Sequence, residues 1–126
     1  MKQIIFTEKA PSPIGPYNQA VLKNDTLYIS GQIPMHPETG EIITESIEAE
    51  TKQVMENLKA ILKAADMTFE HVVKTSIFIT DMNDFSAINA VYGSYLNETT
   101  APARETVQVA ALPKNVNIEI SMIAII

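Results

Sequence analysis

Arg104 and Glu119 are the two residues of this chain whose types and settings could do chemistry on a small acid. Arg104 is the one arginine among nine Lys and Arg residues. It sits in the run Thr100-Ala101-Pro102-Ala103-Arg104-Glu105-Thr106-Val107-Gln108-Val109. A guanidinium presents a fixed planar fork of donors and stays charged, so it suits a bidentate grip on a carboxylate or phosphate. An α-carboxylate ligand is the natural first expectation, with a surface arginine left by chance as the plain alternative. Glu119 interrupts an otherwise apolar stretch, Asn117-Ile118-Glu119-Ile120-Ser121-Met122. A carboxylate there is either solvated on an outer face or held near a buried partner. If the two residues converge from neighbouring strands, Arg104 would hold a substrate carboxylate while Glu119, its pKa raised by partial burial, moves protons or orients water. A simple interface salt bridge between them fits the spacing equally well.

Other constellations carry less. His36 and His71 are the only histidines and lack a metal-ligand spacing, so no metal site is expected. The chain has no cysteine, which removes disulfides, thiolate nucleophiles and Cys-ligated zinc. Gly15, Gly31, Gly40 and Gly93 stand singly, so there is no phosphate-cradling loop. Ser12 and Ser30 have no histidine in any recognisable hydrolase motif. Asn97-Glu98-Thr99 fits a glycosylation acceptor, but with no secretory signal it carries no meaning. The six methionines are scattered and read as core filling.

The elements that must position Arg104 and Glu119 can be read from periodicity. Ala20–Lys23 and Thr26–Ser30 flank Asn24-Asp25, a pair that tolerates left-handed turn geometry, and predict a hairpin. Residues 34–40, with two prolines and a glycine, predict a loop. From Ser46 to Ala65, Ile47, Val54, Leu58, Ile61, Leu62 and Ala65 fall on one helical stripe, with Glu48 and Glu50 in the favourable first turn. His71–Thr80 is rich in Val, Ile, Thr and Phe and reads as a strand. A second helix should follow Asn83 or Asp84, its stripe carried by Phe85, Ile88, Tyr92, Tyr95 and Leu96. Ala103–Val109 and Val116–Ile125 return to strand. In the first of these Arg104, Thr106 and Gln108 share a face; in the second Glu119 opposes Ile118, Ile120 and Met122.

This order predicts an α+β, two-layer fold with both helices on one face of a shared sheet. The opposite face would need cover, which argues for a homo-oligomer packed through it. With 126 residues, 46% hydrophobic and 19% charged, the chain reads as one compact domain over residues 1–126, without repeats or linkers. No signal peptide or membrane span is evident, so a cytoplasmic location is expected. A net charge of −6 repels phosphate backbones and anionic lipid, the reverse of a nucleic-acid binder's footprint.

Six motifs occur in order along the chain: Ile14-Gly15-Pro16-Tyr17; Ser30-Gly31-Gln32-Ile33-Pro34; Asp81-Met82-Asn83-Asp84-Phe85 followed by Asn89 and Tyr92; Pro102-Ala103-Arg104; Ala111-Leu112-Pro113-Lys114; and Ile118-Glu119-Ile120. Together they resemble the RidA/YjgF family of reactive-intermediate deaminases over essentially the whole chain. The resemblance implies a chorismate-mutase-like fold assembled as a homotrimer with clefts between subunits. It implies hydrolysis of 2-imino and 2-enamino acids such as 2-aminoacrylate and 2-iminobutanoate to 2-oxoacids and ammonia, protecting pyridoxal-phosphate enzymes, with no metal or organic cofactor. In that family's terms Arg104 would grip the substrate carboxylate and Glu119 would activate the attacking water. Tyr17 would line the cleft, Ser30 and Gly31 would supply hydroxyl and carbonyl contacts, Asn89 would be the cleft asparagine, and the Thr106 N–H would help hold the carboxylate.

The chain departs from the common bacterial pattern at Glu105, Thr106, Gln108 and Ala111, where Ser, Cys, Glu and a second Arg are usual. Gln108–Lys114 instead resembles animal members. Glu105 points away from Arg104 by alternation, yet a charge so near could weaken carboxylate binding; Ser121 replaces a second glutamate. Some family members are described as endoribonucleases or translation inhibitors, and a non-catalytic, 2-oxoacid-binding regulatory trimer is a third reading.

Overall fold

A computed structural model describes residues 1–126 and is α+β: one mixed six-stranded sheet carrying two helices. The strands are β1 (Gln3–Ile5), β2 (Ala20–Lys23), β3 (Thr26–Gln32), β4 (Val72–Ile79), β5 (Ala103–Gln108) and β6 (Ile118–Ile125). The helices are α1 (Ile47–Ala64), between β3 and β4, and α2 (Phe85–Gly93), between β4 and β5. Across the sheet the order is β1-β2-β3-β6-β4-β5, antiparallel throughout except for the parallel β4/β5 pair. That parallel pair needs a crossover, and α2 supplies it.

The predicted elements form close to their expected bounds. Asn24, at φ 54°, makes the left-handed turn of the β2–β3 hairpin. Ser46 caps α1, its hydroxyl accepting from the Ala49 N–H at 3.0 Å, and Glu48 and Glu50 lie in the first turn. α2 is shorter than its stripe implied. It stops at Gly93, so Tyr95 and Leu96 fall beyond it and pack on the core's margin. The strand β1 was not foreseen, because three residues carry too little alternation to be read; Ile5 alone of them is buried.

Alternation divides the sheet. Ile118, Ile120, Met122 and Ala124 of β6, Thr75, Ile77 and Ile79 of β4, and Leu27 and Ile29 of β3 are all buried. They meet Val54, Met55, Leu58, Ile61 and Leu62 of α1 and Ile88 and Tyr92 of α2 in one core, which places both helices on one face. Each such side chain contributes roughly 1.5–3 kcal/mol by leaving water. The other face has no helix. It carries Tyr28, Ile123, Phe78 and Val107 together with Glu119, Ser121, Ser76, Lys74 and Glu105.

The head of β6 is tied to the head of α1 by a buried acid. Glu50, only 3% exposed, accepts from the Asn117 backbone N–H at 3.2 Å and from its Nδ2 at 2.8 Å. Asn117 Oδ1 in turn accepts from the Thr80 hydroxyl at 3.1 Å. This anchors the strand two residues before Glu119. Glu50→Ala strands two donors of Asn117, and urea denaturation should show about 1–3 kcal/mol of lost stability; a loss of a few tenths would mean that water replaces the carboxylate.

Candidate functional site

Arg104 lies on β5 in register with Thr75 of β4, on the helix-covered side of the sheet's edge. Its Nη1 donates to Asn89 Oδ1 at 2.7 Å. Its Cζ stands 5.2 Å from the Tyr92 ring centroid and 5.7 Å from that of Phe85, within cation–π range of both. Phe85, Asn89 and Tyr92 are spaced four and three residues apart and so share one face of α2. The guanidinium is half-buried, and the chain's one ion pair lies elsewhere, between Lys74 and Glu105.

Thr106 follows two residues on, facing the same way. Its Oγ1 is buried and has no hydrogen-bond partner. The Val109 N–H donates to the Ile79 carbonyl at 2.8 Å, so odd-numbered residues of this segment turn their backbone toward β4. Period two then turns the Thr106 N–H to the free edge, beside Arg104.

Glu119 is on the other face. Its register partner on β4 is Phe78, which pairs in turn with Val107 of β5. The expectation that Arg104 and Glu119 occupy neighbouring strands is corrected: β4 separates β5 from β6, and the two side chains leave opposite faces of the sheet, so the condition for their convergence is not met within a protomer. No ion pair joins them within a protomer.

Around Glu119 a second cluster forms. The β3/β6 ladder slips between Ile29 and Gln32, so Ser30 and Gly31 together oppose Ser121 in a β-bulge. The Glu119 side chain lies directly over Gly31: a Cβ there would stand 2.5 Å from Oε2 and 2.7 Å from Cδ. Burial raises the Glu119 pKa above the usual carboxylate value. The Ser30 hydroxyl donates to the Asn18 carbonyl at 2.6 Å and the Ser30 N–H to the Gln19 carbonyl at 2.9 Å, tying the bulge to the segment that carries Tyr17. Tyr17 is exposed, and its Oη accepts from the Ile14 N–H at 3.3 Å.

The supporting residues were not legible as such. Gln19 is buried; its Oε1 accepts from the Thr7 N–H at 2.8 Å, and its Nε2 donates to the carbonyls of Thr7, Ala10 and Pro11. One amide thus holds the loop leading to Tyr17. Asn57, on α1, donates to the Ile33 and Met35 carbonyls and pins the chain just past the bulge. Phe85 and Tyr92 read as members of a hydrophobic stripe, and their second duty toward Arg104 emerges only in three dimensions.

Glu105 does not oppose Arg104. It lies on the helix-free face, where the Lys74 Nζ is 2.7 Å from Oε1 and the Ser76 hydroxyl donates to Oε2. Those two contacts, Lys74 first, hold its pKa below the usual value. The histidines serve local turns: His36 Nδ1 accepts from the Glu38 N–H and His71 Nδ1 from the Thr68 N–H.

The structure therefore forms two separate half-sites on opposite sides of the sheet. One is an anion grip at the β5 edge, made by Arg104, Asn89 and the Thr106 N–H. The other, made by Glu119, Gly31, Ser30 and Tyr17, offers an acid–base carboxyl with hydroxyl and backbone groups on the helix-free face. Residues 7–126 match the family model described as Endoribonuclease L-PSP. A RutC family protein of Pyrococcus horikoshii is 52% identical over 124 residues, 98% of each chain. The 2-iminobutanoate/2-iminopropanoate deaminase of Homo sapiens is 47% identical over 125 residues, covering 99% of this chain and 90% of the human one. The crystal structure of E. coli TdcF with bound serine superposes with a TM-score of 0.93 at 44% identity, over 98% of each chain.

Two outcomes follow from the Glu119 environment. Because its folded-state pKa is raised, ionising it removes stability as pH climbs through that value, so Glu119→Gln should raise Tm at neutral pH and not at pH 3. Gly31→Ala should drive the flexible carboxylate outward and bring its pKa, followed by the NMR shift of Cδ, back toward 4.5. An unmoved titration would show that the backbone yields instead of the side chain.

Proposed function

This chain belongs to the RidA/YjgF family, and from that membership we propose that it hydrolyses 2-imino and 2-enamino acids to 2-oxoacids and ammonia. The observation that carries the reading is Arg104: a half-buried guanidinium aimed by Asn89 and two aromatic rings, with no acidic partner in its own chain. A half-buried guanidinium without a counter-ion keeps its fork of donors for a ligand, and a carboxylate matches it. The serine bound in the E. coli relative is a ligand with such a carboxylate.

The two half-sites work together only across a subunit boundary. We place the β5 edge of one copy against the Glu119 face of the next, a contact that closes as a homotrimer of chorismate-mutase-like form with three equivalent clefts. The same contact covers the helix-free face with its exposed Tyr28 and Val107. Arg104 and the Thr106 N–H hold the carboxylate, which leaves the imine carbon facing Glu119 of the adjacent copy. Glu119 takes a proton from water as its oxygen adds to the C=N carbon and returns one to the nitrogen. Collapse of the carbinolamine breaks the C–N bond and releases ammonia and the 2-oxoacid. The Gly31 carbonyl accepts from the imine N–H, Ser30 orients the water, and Tyr17 bounds the side-chain space. An imine is already electrophilic, so orientation and one well-placed acid–base group suffice. Removing such imines would shield pyridoxal-phosphate enzymes from them.

Binding of 2-oxoacids without turnover is the second reading, favoured by the placement of Arg104, Asn89 and the Thr106 N–H at one edge of a single chain, away from Glu119. The ribonuclease suggested by the family's description is disfavoured by the net charge of −6 and the single arginine. A dehydratase generating 2-iminobutanoate in situ, with semicarbazide trapping the uncatalysed fraction, decides among them. Wild type should accelerate 2-oxobutanoate formation. Arg104→Ala should lose about 10- to 100-fold in kcat/KM and in 2-oxobutanoate affinity. Glu119→Gln should lose about 100-fold or more in kcat while keeping that affinity. The kcat/KM profile should fall on an acid limb lying above the ordinary carboxylate pKa of 4.5, as Glu119 becomes protonated. Full activity in Glu119→Gln would remove its assigned role, and oxoacid binding by a wild type that leaves the imine untouched would establish the second reading.

A further inference from the structure

Tyr92 and Thr75 are 5% and 0% exposed, yet each carries a hydroxyl into the core. Burying a phenol oxygen is unfavourable unless it is paired, and here it is: Tyr92 Oη donates to Thr75 Oγ1 at 3.0 Å. Thr75 is also the register partner of Arg104 across the β4/β5 ladder, and the Tyr92 ring lies 5.2 Å from the Arg104 Cζ. The three residues close a loop through a backbone ladder, a hydroxyl bond and a cation–ring contact. A phenylalanine would fill nearly the same volume without the hydroxyl, so packing alone does not account for a tyrosine. Burial raises its pKa, which keeps the phenol protonated and donating through the neutral range.

Asn89 fixes one nitrogen of the guanidinium but leaves rotation about that contact free. A ring face removes this freedom, because the cation is drawn to the face and away from the edge. We infer that Tyr92 is a positioning residue for Arg104: its ring sets the plane in which the guanidinium fork meets a carboxylate, and its bond to Thr75 fixes that ring to the sheet. Phe85 stands farther off, at 5.7 Å, and has no comparable tether. The functional weight of Tyr92 rests on Arg104 being the carboxylate anchor proposed above, whereas its hold on the side chain can be observed without any ligand.

The chain's single arginine gives one Nε–Hε signal in a 15N NMR spectrum, so the side chain reports on itself without assignment. In wild type this signal should be shifted by the ring current and rigid on the picosecond-to-nanosecond scale. Tyr92→Leu should return it toward a free arginine's shift and mobility and weaken 2-oxobutanoate binding about tenfold, with kcat at saturating imine changing far less. Tyr92→Phe, which restores the ring, should recover most of both. Thr75→Val should produce a smaller loss in the same direction, and Thr75→Ser should reverse it. The inference is overturned by a mobile wild-type signal, or by a signal and affinity within about twofold of wild type in Tyr92→Leu of native circular dichroism and assembly. Should Tyr92→Leu not fold, unchanged values in both Tyr92→Phe and Thr75→Val overturn it. Absence of oxoacid binding by wild type would sink the carboxylate reading, while the arginine signal would still decide the role of Tyr92.

Discussion

Neighbouring residues of a β-strand cannot send their side chains to the same face, and in β6 this rule sets the terms for the whole molecule. Ile118, Ile120, Met122 and Ala124 are all drawn into the core, so Glu119 between them has nowhere to go but the helix-free face. The same rule on β5 sends Arg104 toward α2 and Glu105 away from it. Because the ladder from β6 through β4 to β5 is in regular register from Lys74 to Ile79, the cation and the carboxylate end on opposite sides of one sheet. Glu119 cannot be moved without turning out a core residue. The two groups are thereby divided between an edge and a face, and the proposed reaction joins them only if a second copy sets its face against that edge.

Each half is then stiffened by means suited to its place. At the edge a long flexible arginine is held by an amide and two rings from a helix only nine residues long, which the β4-to-β5 crossover lays across it. On the face a short glutamate needs less restraint and receives it from contact with a glycine that lacks a Cβ. The loop carrying Tyr17 has no regular structure, and the buried amide of Gln19 does for it what a ladder would do for a strand. Stiffness in the site thus comes from side-chain polar contacts placed wherever secondary structure runs out.

Much of this was legible in the chain itself. The stripe of α1, the hairpin turn at Asn24 and the alternation around Arg104 and Glu119 are local patterns, and local patterns survive folding because the core rewards them. The strand order is not local. Nothing in the residues around 104 and 119 says that β4 will come between their strands, which is why adjacent strands were expected and separated ones found. The second duty of Tyr92 was hidden for a different reason: a tyrosine on an apolar stripe looks the same whether its ring fills space or carries a cation. Gln19 gave no signal, since a buried glutamine and an exposed one are spelled alike.

The bulge at Ser30 and Gly31 also bears on how the chain can vary. Two residues stand there opposite one, so β3 enters and leaves the irregularity on opposite phases of its pleat. Losing either residue would leave one residue opposite Ser121 and restore regular alternation, with Gln32 still buried in register with Ile120; what the strand would lose is one of the two consecutive residues that the bulge sets beside Glu119. The extra residue is thus dispensable to the alternation of the core, and its place is accounted for by the pairing of a serine tied to the Asn18 carbonyl with a glycine beneath Glu119.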